Sequence, residues 1–177
     1  MDNERQGDMQ PPAAAPWVAT APVGVRFVPT ERELVSLYLT NKFLNFPAPP
    51  NTIRELNIYE YHPNELPRLA YNTRSDQVLY FFTPLKRLGS GNVNFDRRAR
   101  NGSWAMVHTY RGLYKTSSFE NGVIRRHLKF SGDEGFRCNM QMKEYVMDAP
   151  RANAADPVLA LCIIHPPRAG NQWNSAS

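Results

Sequence analysis

The residues best suited to chemistry in this sequence are cations concentrated in its middle. The stretch from Lys86 to Phe130 holds ten Lys and Arg against two acidic residues, a net charge of +8. The rest of the chain holds eleven against fourteen, a net charge of −3, so the overall charge of +5 arises in this stretch. Such a patch is typical of a surface that binds a polyanion such as nucleic acid. A solvated sheet face with scattered arginines would have the same composition, and charge alone does not separate the two.

The patterns of histidine, cysteine and glycine give no support for catalysis or metal binding. The sequence has no G-x-S-x-G, P-loop or H-E-x-x-H motif, and its four histidines lie far apart without metal-ligand spacing. Cys138 would act as a nucleophile only beside a histidine, and a lone cysteine in a strand is more often a packing residue. Gly89-Ser90-Gly91 lies between strand-like segments, which favours a hairpin over a phosphate loop. We therefore expect no enzyme, no metal and no cofactor.

Cysteine content and hydropathy exclude several other classes of protein. Two cysteines cannot form a disulfide scaffold or a four-cysteine zinc site, and they fit a reducing compartment such as the cytosol or nucleus. The longest apolar runs, such as residues 158–164, are far shorter than the roughly 20 residues of a membrane-spanning helix. The N-terminus lacks the basic and apolar segments of a signal peptide. We therefore expect no association with a membrane.

The body that must position the cations is expected to run from residue 23 to residue 168. Residues 1–22 are rich in Pro, Ala, Gln and Gly and predict a disordered tail, and residues 169–177 predict a short polar one. Thr30 and Glu33 have the spacing of a capping box, which predicts a helix with Leu34, Leu37 and Tyr38 on one face. A second short helix is predicted over residues 51–56.

Strand signals follow the helices along the chain. The apolar run at residues 78–82 predicts a buried strand that Thr83-Pro84 closes. Residues 124–130 alternate, with Arg125, His127 and Lys129 on one face. Helices first and strands later indicate an α+β fold with a mainly antiparallel sheet. Further strands are predicted at residues 104–114, 140–147 and 158–164, the last one central or covered on both faces because it is fully apolar.

Seven motifs, in order, resemble those of the plant NAC domain. Residues 23–35 (VGVRFVPTERELV) are similar to P-G-F-R-F-x-P-T-D-E-E-L-V, and residues 53–67 (IRELNIYEYHPNELP) to I-x-E-x-D-I-Y-x-x-x-P-W-x-L-P. Any one motif is weak, but their order and spacing over about residues 23–164 make the resemblance strong for the fold. The remaining five are LYFFTP at 79–84, DRRARNGSW at 96–104, VIRRHLKF at 123–130, Glu144-Tyr145 and Leu161-Cys162, similar in turn to W-Y-F-F-S-P, N-R-x-A-x-x-G-Y-W, G-x-K-K-x-L-V-F, H-E-Y and W-V-L-C-R-I.

This resemblance implies a nuclear, DNA-binding domain of transcription factors. Its fold would be a twisted, mainly antiparallel β-sheet packed between N-terminal helices. It would bind double-stranded DNA as a homodimer, or as a heterodimer with other NAC-domain proteins. A strand edge would enter the major groove while basic side chains hold the phosphates. The expected DNA-binding residues are Arg97, Arg98, Arg100, Arg111, Arg125, Arg126 and Lys129.

The resemblance also implies a dimer interface. In the family, an arginine and a glutamate at the positions of Arg26 and Glu33 form reciprocal salt bridges across a two-fold axis. A local role for Glu33 competes with this one, because the same carboxylate would close the capping box with Thr30. Both roles are compatible, since a carboxylate has two oxygen atoms.

The chain departs from the family pattern mostly on the DNA side. The groove-reading segment W-K-A-T-G-K is replaced by one in which Ala105 and His108 stand for a lysine and a glycine. An upstream arginine is Asn94, and the loop at residues 131–135 has become acidic. Because Ala105 cannot donate to a base edge, we expect altered or relaxed sequence specificity, with phosphate binding retained. The alternative is a dimerisation module impaired in DNA binding, which pairs with full-length relatives and restrains them; the short C-terminal tail is in keeping with this alternative.

Overall fold

One mixed β-sheet lies at the centre of the computed structural model, which describes residues 27–47, 52–71, 78–89, 94–133, 139–149 and 157–166. The strand order is β1-β2-β8-β7-β6-β5-β4, and β3 pairs separately with β2. Among the described strands only the β1–β2 pair is parallel, so the α+β fold with a mainly antiparallel sheet is confirmed. The predicted tails, residues 1–22 and 169–177, lie outside the described residues. The strands are β1 (Arg54–Glu55), β2 (Leu79–Arg87), β3 (Phe95–Asp96), β4 (Arg98–Ala99), β5 (Gly102–Leu113), β6 (Val123–Gly132), β7 (Gln141–Met147) and β8 (Val158–His165).

A helical segment, α1 (residues 31–43), begins at the predicted capping box. The Thr30 hydroxyl accepts a hydrogen bond from the Glu33 backbone N–H, and the Glu33 carboxylate accepts one from the Thr30 backbone N–H. The helix is π-helical at Leu34–Leu39 and α-helical at Glu31–Glu33 and Thr40–Phe43. Because π-helical bonds run from i to i+5, the turn contains an extra residue, and Leu37 is 55% exposed rather than on the packing face.

The sheet is covered on both faces, as its most apolar strand predicts. On one face, Leu34, Val35 and Leu39 of α1 pack against a cluster that includes Tyr145 and Leu161. On the other, two 3₁₀ turns (Ile58–Glu60 and Pro63–Arg68) supply buried side chains. Alternate side chains of strand β8 belong to the two clusters, so both faces of this strand are apolar and packed. No helix among the described residues is long and apolar enough to cross a membrane.

The predicted helix over residues 51–56 is wrong, because long-range bonds override the local pattern there. Residue 51 lies outside the described residues, but Thr52 and Ile53 form a bend and β1 follows. The backbone N–H of Leu56 donates to the Phe82 carbonyl at 2.9 Å. The Arg54 guanidinium also donates to the Leu69 carbonyl at 2.8 Å. The segment is thus held as an extended edge of the sheet.

The predicted end of the strand at Thr83-Pro84 is also wrong, since β2 continues to Arg87. Pro84 lies opposite Leu159 of β8. On the other edge of β2, the β1 register ends at Phe82 and the β3 register begins at Lys86, so Pro84 falls between the two pairings. A proline is tolerated where no neighbouring strand requires its missing N–H. Strand β3 pairs antiparallel with β2, in agreement with the predicted hairpin, while Ser90 and Gly91 of its turn lie outside the described residues.

Candidate nucleic-acid interface

The second half of β5 is a free edge of the sheet. Strand β5 pairs with β6 along most of its length, whereas its other edge pairs with β4 only at Gly102 and Ser103. Trp104 follows and is buried, with its ring packed edge-on against Phe130 at 5.5 Å between centroids. Residues 105–111 are exposed, and no described strand pairs with the edge of these residues that faces away from β6. A free strand edge of this kind is accessible to a large ligand.

A β-bulge at Val107 determines which residues of β5 share a face. Met106 lies opposite Leu128 and His108 lies opposite His127, so β5 has one more residue than β6 between these pairs. Ala105 lies opposite Lys129. Directly opposed residues point to the same side of a sheet, and Ala105 and His108 therefore flank one exposed surface together with Lys129 and His127. The two positions that depart from the family pattern share this surface.

Four of the seven predicted DNA-binding residues have exposed side chains, at different places around β5: Lys129 lies opposite Ala105, Arg111 lies near the C-terminal end of β5, and Arg98 and Arg100 lie beside its N-terminal end. Lys129 is exposed and has no ion pair among the described residues. Arg111 is 4.0 Å from the Asp148 carboxylate, and Arg100 is 3.0 Å from the Glu65 carboxylate. Arg98 is the most exposed of the ion-paired cations, with a side-chain exposure of 78%. Exposed ion pairs are weak in water, so these cations are free to exchange a carboxylate for a phosphate.

Arg98 forms the closest of these surface pairs. Its guanidinium donates to both oxygens of Asp96, at 2.9 Å and 2.7 Å. These bonds, with one from the Arg98 backbone N–H, lower the pKa of Asp96 to about 2. Asp96 therefore stays ionised throughout the physiological pH range, and its carboxylate holds the Arg98 side chain of β4 beside β3.

Arg97 and Arg126 are turned inward instead. Both guanidinium groups donate to the same oxygen of Glu144, Oε1, at 2.9 Å and 3.0 Å. Arg126 is 4% exposed and Glu144 is fully buried. The two arginines also stack on the ring of Phe95, at 5.6 Å and 5.4 Å from its centroid. In this arrangement they are interior residues that join β6 and β7 to the segment between β3 and β4, and they do not reach the surface that carries Lys129.

A neutral hydroxyl completes this buried cluster. The Tyr59 hydroxyl donates to Glu144 Oε2 at 3.0 Å, and Arg97 Nε donates to the same oxygen at 3.3 Å. Burial, and then the charge of Glu144, raise the pKa of Tyr59 well above its usual value, so the group remains a donor. The carboxylate thus accepts bonds on both oxygens, as a buried charge requires.

Arg125 is held by the first turn of α1. Its guanidinium lies 3.2 Å from Glu31 and 4.7 Å above the ring of Tyr110. The Glu31 carboxylate also accepts hydrogen bonds from Lys143 and Tyr145. Burial raises the pKa of Glu31, but the hydrogen bonds and nearby cations outweigh it, so the pKa is lowered overall. Arg125 therefore links α1 to β5 and keeps only part of its side chain exposed.

The predicted dimer residues are described only in part. Arg26 lies outside the described residues. Glu33 is exposed, and its carboxylate accepts two hydrogen bonds from Thr30 through one oxygen, Oε2. These bonds lower the pKa of Glu33. The local capping role of Glu33 is thereby confirmed, and its role between protomers stays a prediction.

Sequence reasoning missed the acidic partners of the arginines. Glu144 and Glu31 were not identified as members of the site, although the period-2 pattern of residues 124–130 contained part of the signal. Arg126 has the same parity as Leu128, whose face is the core, whereas Arg125 shares its parity with Lys129. A buried arginine requires a buried acid, and Glu144 lies directly opposite Arg126 in the next strand.

Comparison with known proteins identifies relatives across most of the described fold. A family model described as "No apical meristem (NAM) protein" matches residues 22–147. NAC domain-containing protein 2 of Solanum lycopersicum is 30% identical over 138 residues, which are 77% of this chain and 49% of that protein. NAC transcription factor 25 of Arabidopsis thaliana is 32% identical over 139 residues, 77% of this chain and 42% of that protein.

A third relative has a similar degree of identity. NAC domain-containing protein 58 of Oryza sativa subsp. japonica is 30% identical over 144 residues, which are 78% of this chain and 36% of that protein. The chain thus spans half or less of the length of these relatives.

Proposed function

This chain belongs to the NAC (NAM) domain family, and we propose that it binds duplex DNA as a dimer and thereby regulates transcription in the nucleus. The family is one of transcription factors and not of enzymes, in agreement with the expectation from the sequence. The observation that best supports DNA binding is the free edge of β5, which is exposed from Ala105 to Arg111 and bordered by cations. A two-stranded ribbon such as β5–β6 fits a major groove.

In this proposal the cations divide into two groups with different tasks. Arg98, Arg100, Arg111 and Lys129 contact phosphates, because their side chains are at the surface. Arg125 contributes from the edge of this surface while it remains bound to Glu31. The last two predicted cations, Arg97 and Arg126, hold the strands in place from within. Phosphate contacts of this kind position a protein on DNA without reading its sequence.

Relaxed specificity follows from the side chains that the β5 edge offers to the bases. Ala105 has no donor or acceptor, whereas a good bidentate base contact supplies about 1–3 kcal/mol of discrimination. Met106 and Val107 are more than half exposed and can make only apolar contacts, such as one with a thymine methyl group. We infer that affinity comes mainly from phosphates and that base preference is weak.

Dimerisation is proposed to use Glu33 together with Arg26 of a second copy. Glu33 Oε1 makes no hydrogen bond within the described part of the chain, because both bonds to Thr30 use Oε2. One oxygen can thus cap α1 while the other accepts a bond from the second protomer. A relative with the same pair of residues would serve equally well, which allows heterodimers.

A dimerisation module without DNA binding remains the second candidate. It is favoured by the inward position of Arg97 and Arg126 and by the loss of a donor at Ala105. Such a protein would pair with longer relatives and restrain them.

A salt titration of duplex binding separates the two candidates. Four phosphate contacts predict a slope of about −4 in a plot of log affinity against log salt for each bound protomer, whereas all seven predicted residues would give about −6. Lys129→Gln should reduce the magnitude of the slope by about 1. The control Lys42→Gln, a change beside β1 at the opposite edge of the sheet, should leave it unchanged. Selection from a random pool would report any base preference. Absence of duplex binding at low salt would contradict the first candidate and favour the second.

A further inference from the structure

A pocket lies on the sheet face beyond the N-terminal end of α1, beside the free edge of β5. Its volume is about 290 Å³. None of the described residues that line it is acidic. Its polar lining consists of imidazoles, amines and one amide, from His108, His127, His165, Lys129, Lys143 and Gln141.

The strand register explains how four strands bring these side chains together. His108, His127 and Lys143 form one row across β5, β6 and β7. Lys129, Gln141 and His165 form the next row across β6, β7 and β8. The bulge at Val107 is essential to the first row, because it keeps His108 opposite His127. The result is a small field of polar and basic groups in which His108 and Lys129 are exposed and His127 and Lys143 are partly buried.

One group in this field lacks a partner although it is buried. His127 Nε2 is inaccessible to water and has no hydrogen-bond partner among the described residues. The ring of Tyr110 lies 5.4 Å from the His127 ring and 6.4 Å from the His108 ring, measured between centroids. A buried polar nitrogen without a partner is uncommon in proteins and points to a ligand.

The charges around the pocket favour an anion. Lys129 forms no ion pair among the described residues, whereas Lys143 and Arg125 share one carboxylate, Glu31, so the positive charges outnumber the negative ones. Burial, then the charges of Arg125 and Lys143, lower the pKa of His127, while Glu31 acts in the opposite direction. The imidazole is therefore neutral at neutral pH and becomes a cationic donor in acid. No group of metal-ligating side chains is present in the described part of the chain, and lysines do not suit a metal.

We propose that this pocket binds a tetrahedral oxyanion, either a phosphate group of the DNA backbone or a free phosphate or sulfate, and that protonation of His127 strengthens the binding. Lysines supply the attraction at neutral pH, and the His127 imidazole adds a donor as the pH falls. The site goes beyond the DNA-binding function, because a free anion can occupy it without a duplex.

The test uses inorganic sulfate and the whole chain, because sulfate keeps its charge between pH 5 and 8. Imidazole resonances are followed by NMR at constant ionic strength. Sulfate should shift the resonances of His127 and His108 and raise the apparent pKa of His127, and its affinity should be about tenfold higher near pH 5 than near pH 8. His62, which packs on the opposite face, serves as the internal reference and should not respond.

Variants and a duplex complete the experiment. Lys129→Gln should weaken sulfate binding by about tenfold, and the control Lys86→Gln, an exposed position in β2, should not. The proposal would be overturned if sulfate did not shift the His127 resonance of the folded protein at pH 5, or if both variants lost affinity for sulfate equally. Displacement of sulfate by a short duplex assigns the anion to the DNA backbone, and retention assigns it to a free oxyanion. Sulfate binding without duplex binding would refute the proposed function alone, and the reverse result would refute the pocket alone.

Discussion

At the residue scale, one buried carboxylate joins β6 and β7 to the segment between β3 and β4. Glu144 is fully buried and receives bonds from Arg97, Arg126 and Tyr59. Buried charges are costly, and their mutual attraction offsets that cost only when every bonding position is filled. Removal of one member therefore has a larger effect than the energy of any one of the bonds.

The first prediction is that Glu144→Ala strongly destabilises the fold. Two guanidinium groups would lose their common acceptor inside the protein, and loss of a buried partner costs about 3–5 kcal/mol of the free energy of unfolding. Urea denaturation measures this loss. The control Asp148→Ala, which removes the acceptor of the exposed 4.0 Å pair with Arg111, should change stability little. Equal stabilities of the two variants would contradict the interior role of Glu144.

Whether an arginine faces inward was partly predictable from the sequence. Strand alternation places Arg126 on the core face. Charge alone, by contrast, suggests that the adjacent Arg125 and Arg126 both lie at the surface. Arg97 gives no such signal, because it lies between two very short strands whose orientation depends on β2 and β5. The five long strands and the capped helix were predictable, since their periodicity is local. The π-helical turn and the extended segment at residues 52–56 were not, because contacts distant in sequence determine them.

At the element scale, two glycines with positive φ lie where strands end or begin, Gly122 directly before β6 and Gly89 after β2. Gly122 has φ of +68°, and a Cβ atom there would overlap the carbonyl oxygen of Leu113. Gly89 has a similar φ of +72°, but a Cβ atom there would meet no atom of the described residues within 4 Å. The two positions share the backbone strain and differ in the available space.

The second prediction compares these two glycines directly. Gly89→Ala should cost about 1–2 kcal/mol, the usual penalty of a left-handed residue with a side chain. Gly122→Ala should cost more, because the backbone of Leu113 must also move. Thermal unfolding of both variants measures the difference, and the same decrease in Tm for both would show that the close approach to Leu113 is unimportant.

The third prediction concerns the attachment of α1 to the sheet. The pKa of Glu31 is lower in the folded protein than its ordinary value near 4.5. A carboxyl with a depressed folded pKa contributes stability above its unfolded pKa and loses it as the pH falls through the folded pKa. Stability should therefore decline below about pH 4.5, and Glu31→Gln should be less stable at pH 7 with a shallower acid decline. Unfolding curves between pH 7 and 2 test this, and parallel curves for the two proteins would contradict it.

At the scale of the whole molecule, the two faces of the sheet have separate tasks. The 3₁₀ turns and the Glu144 cluster seal one face, whereas α1 covers only part of the other. The uncovered part carries Lys129 and His127 beside the free edge of β5, and Glu33 lies at the exposed start of α1. The proposed DNA surface and the proposed dimer contact therefore both lie on the face that α1 partly covers.

The fourth prediction tests the dimer through a charge exchange. Glu33→Arg should weaken self-association because two arginines would then face each other, and adding Arg26→Glu should restore it with the charges reversed. Loss of the cap is a second effect of Glu33→Arg, and Thr30→Ala controls for it, since this change removes the capping hydroxyl but keeps the Glu33 charge. Sedimentation equilibrium measures each variant. Because the double variant still lacks the Glu33 cap, recovery of its dimer assigns the effect to charges between protomers, whereas a weakened dimer in Thr30→Ala would assign it to the helix start.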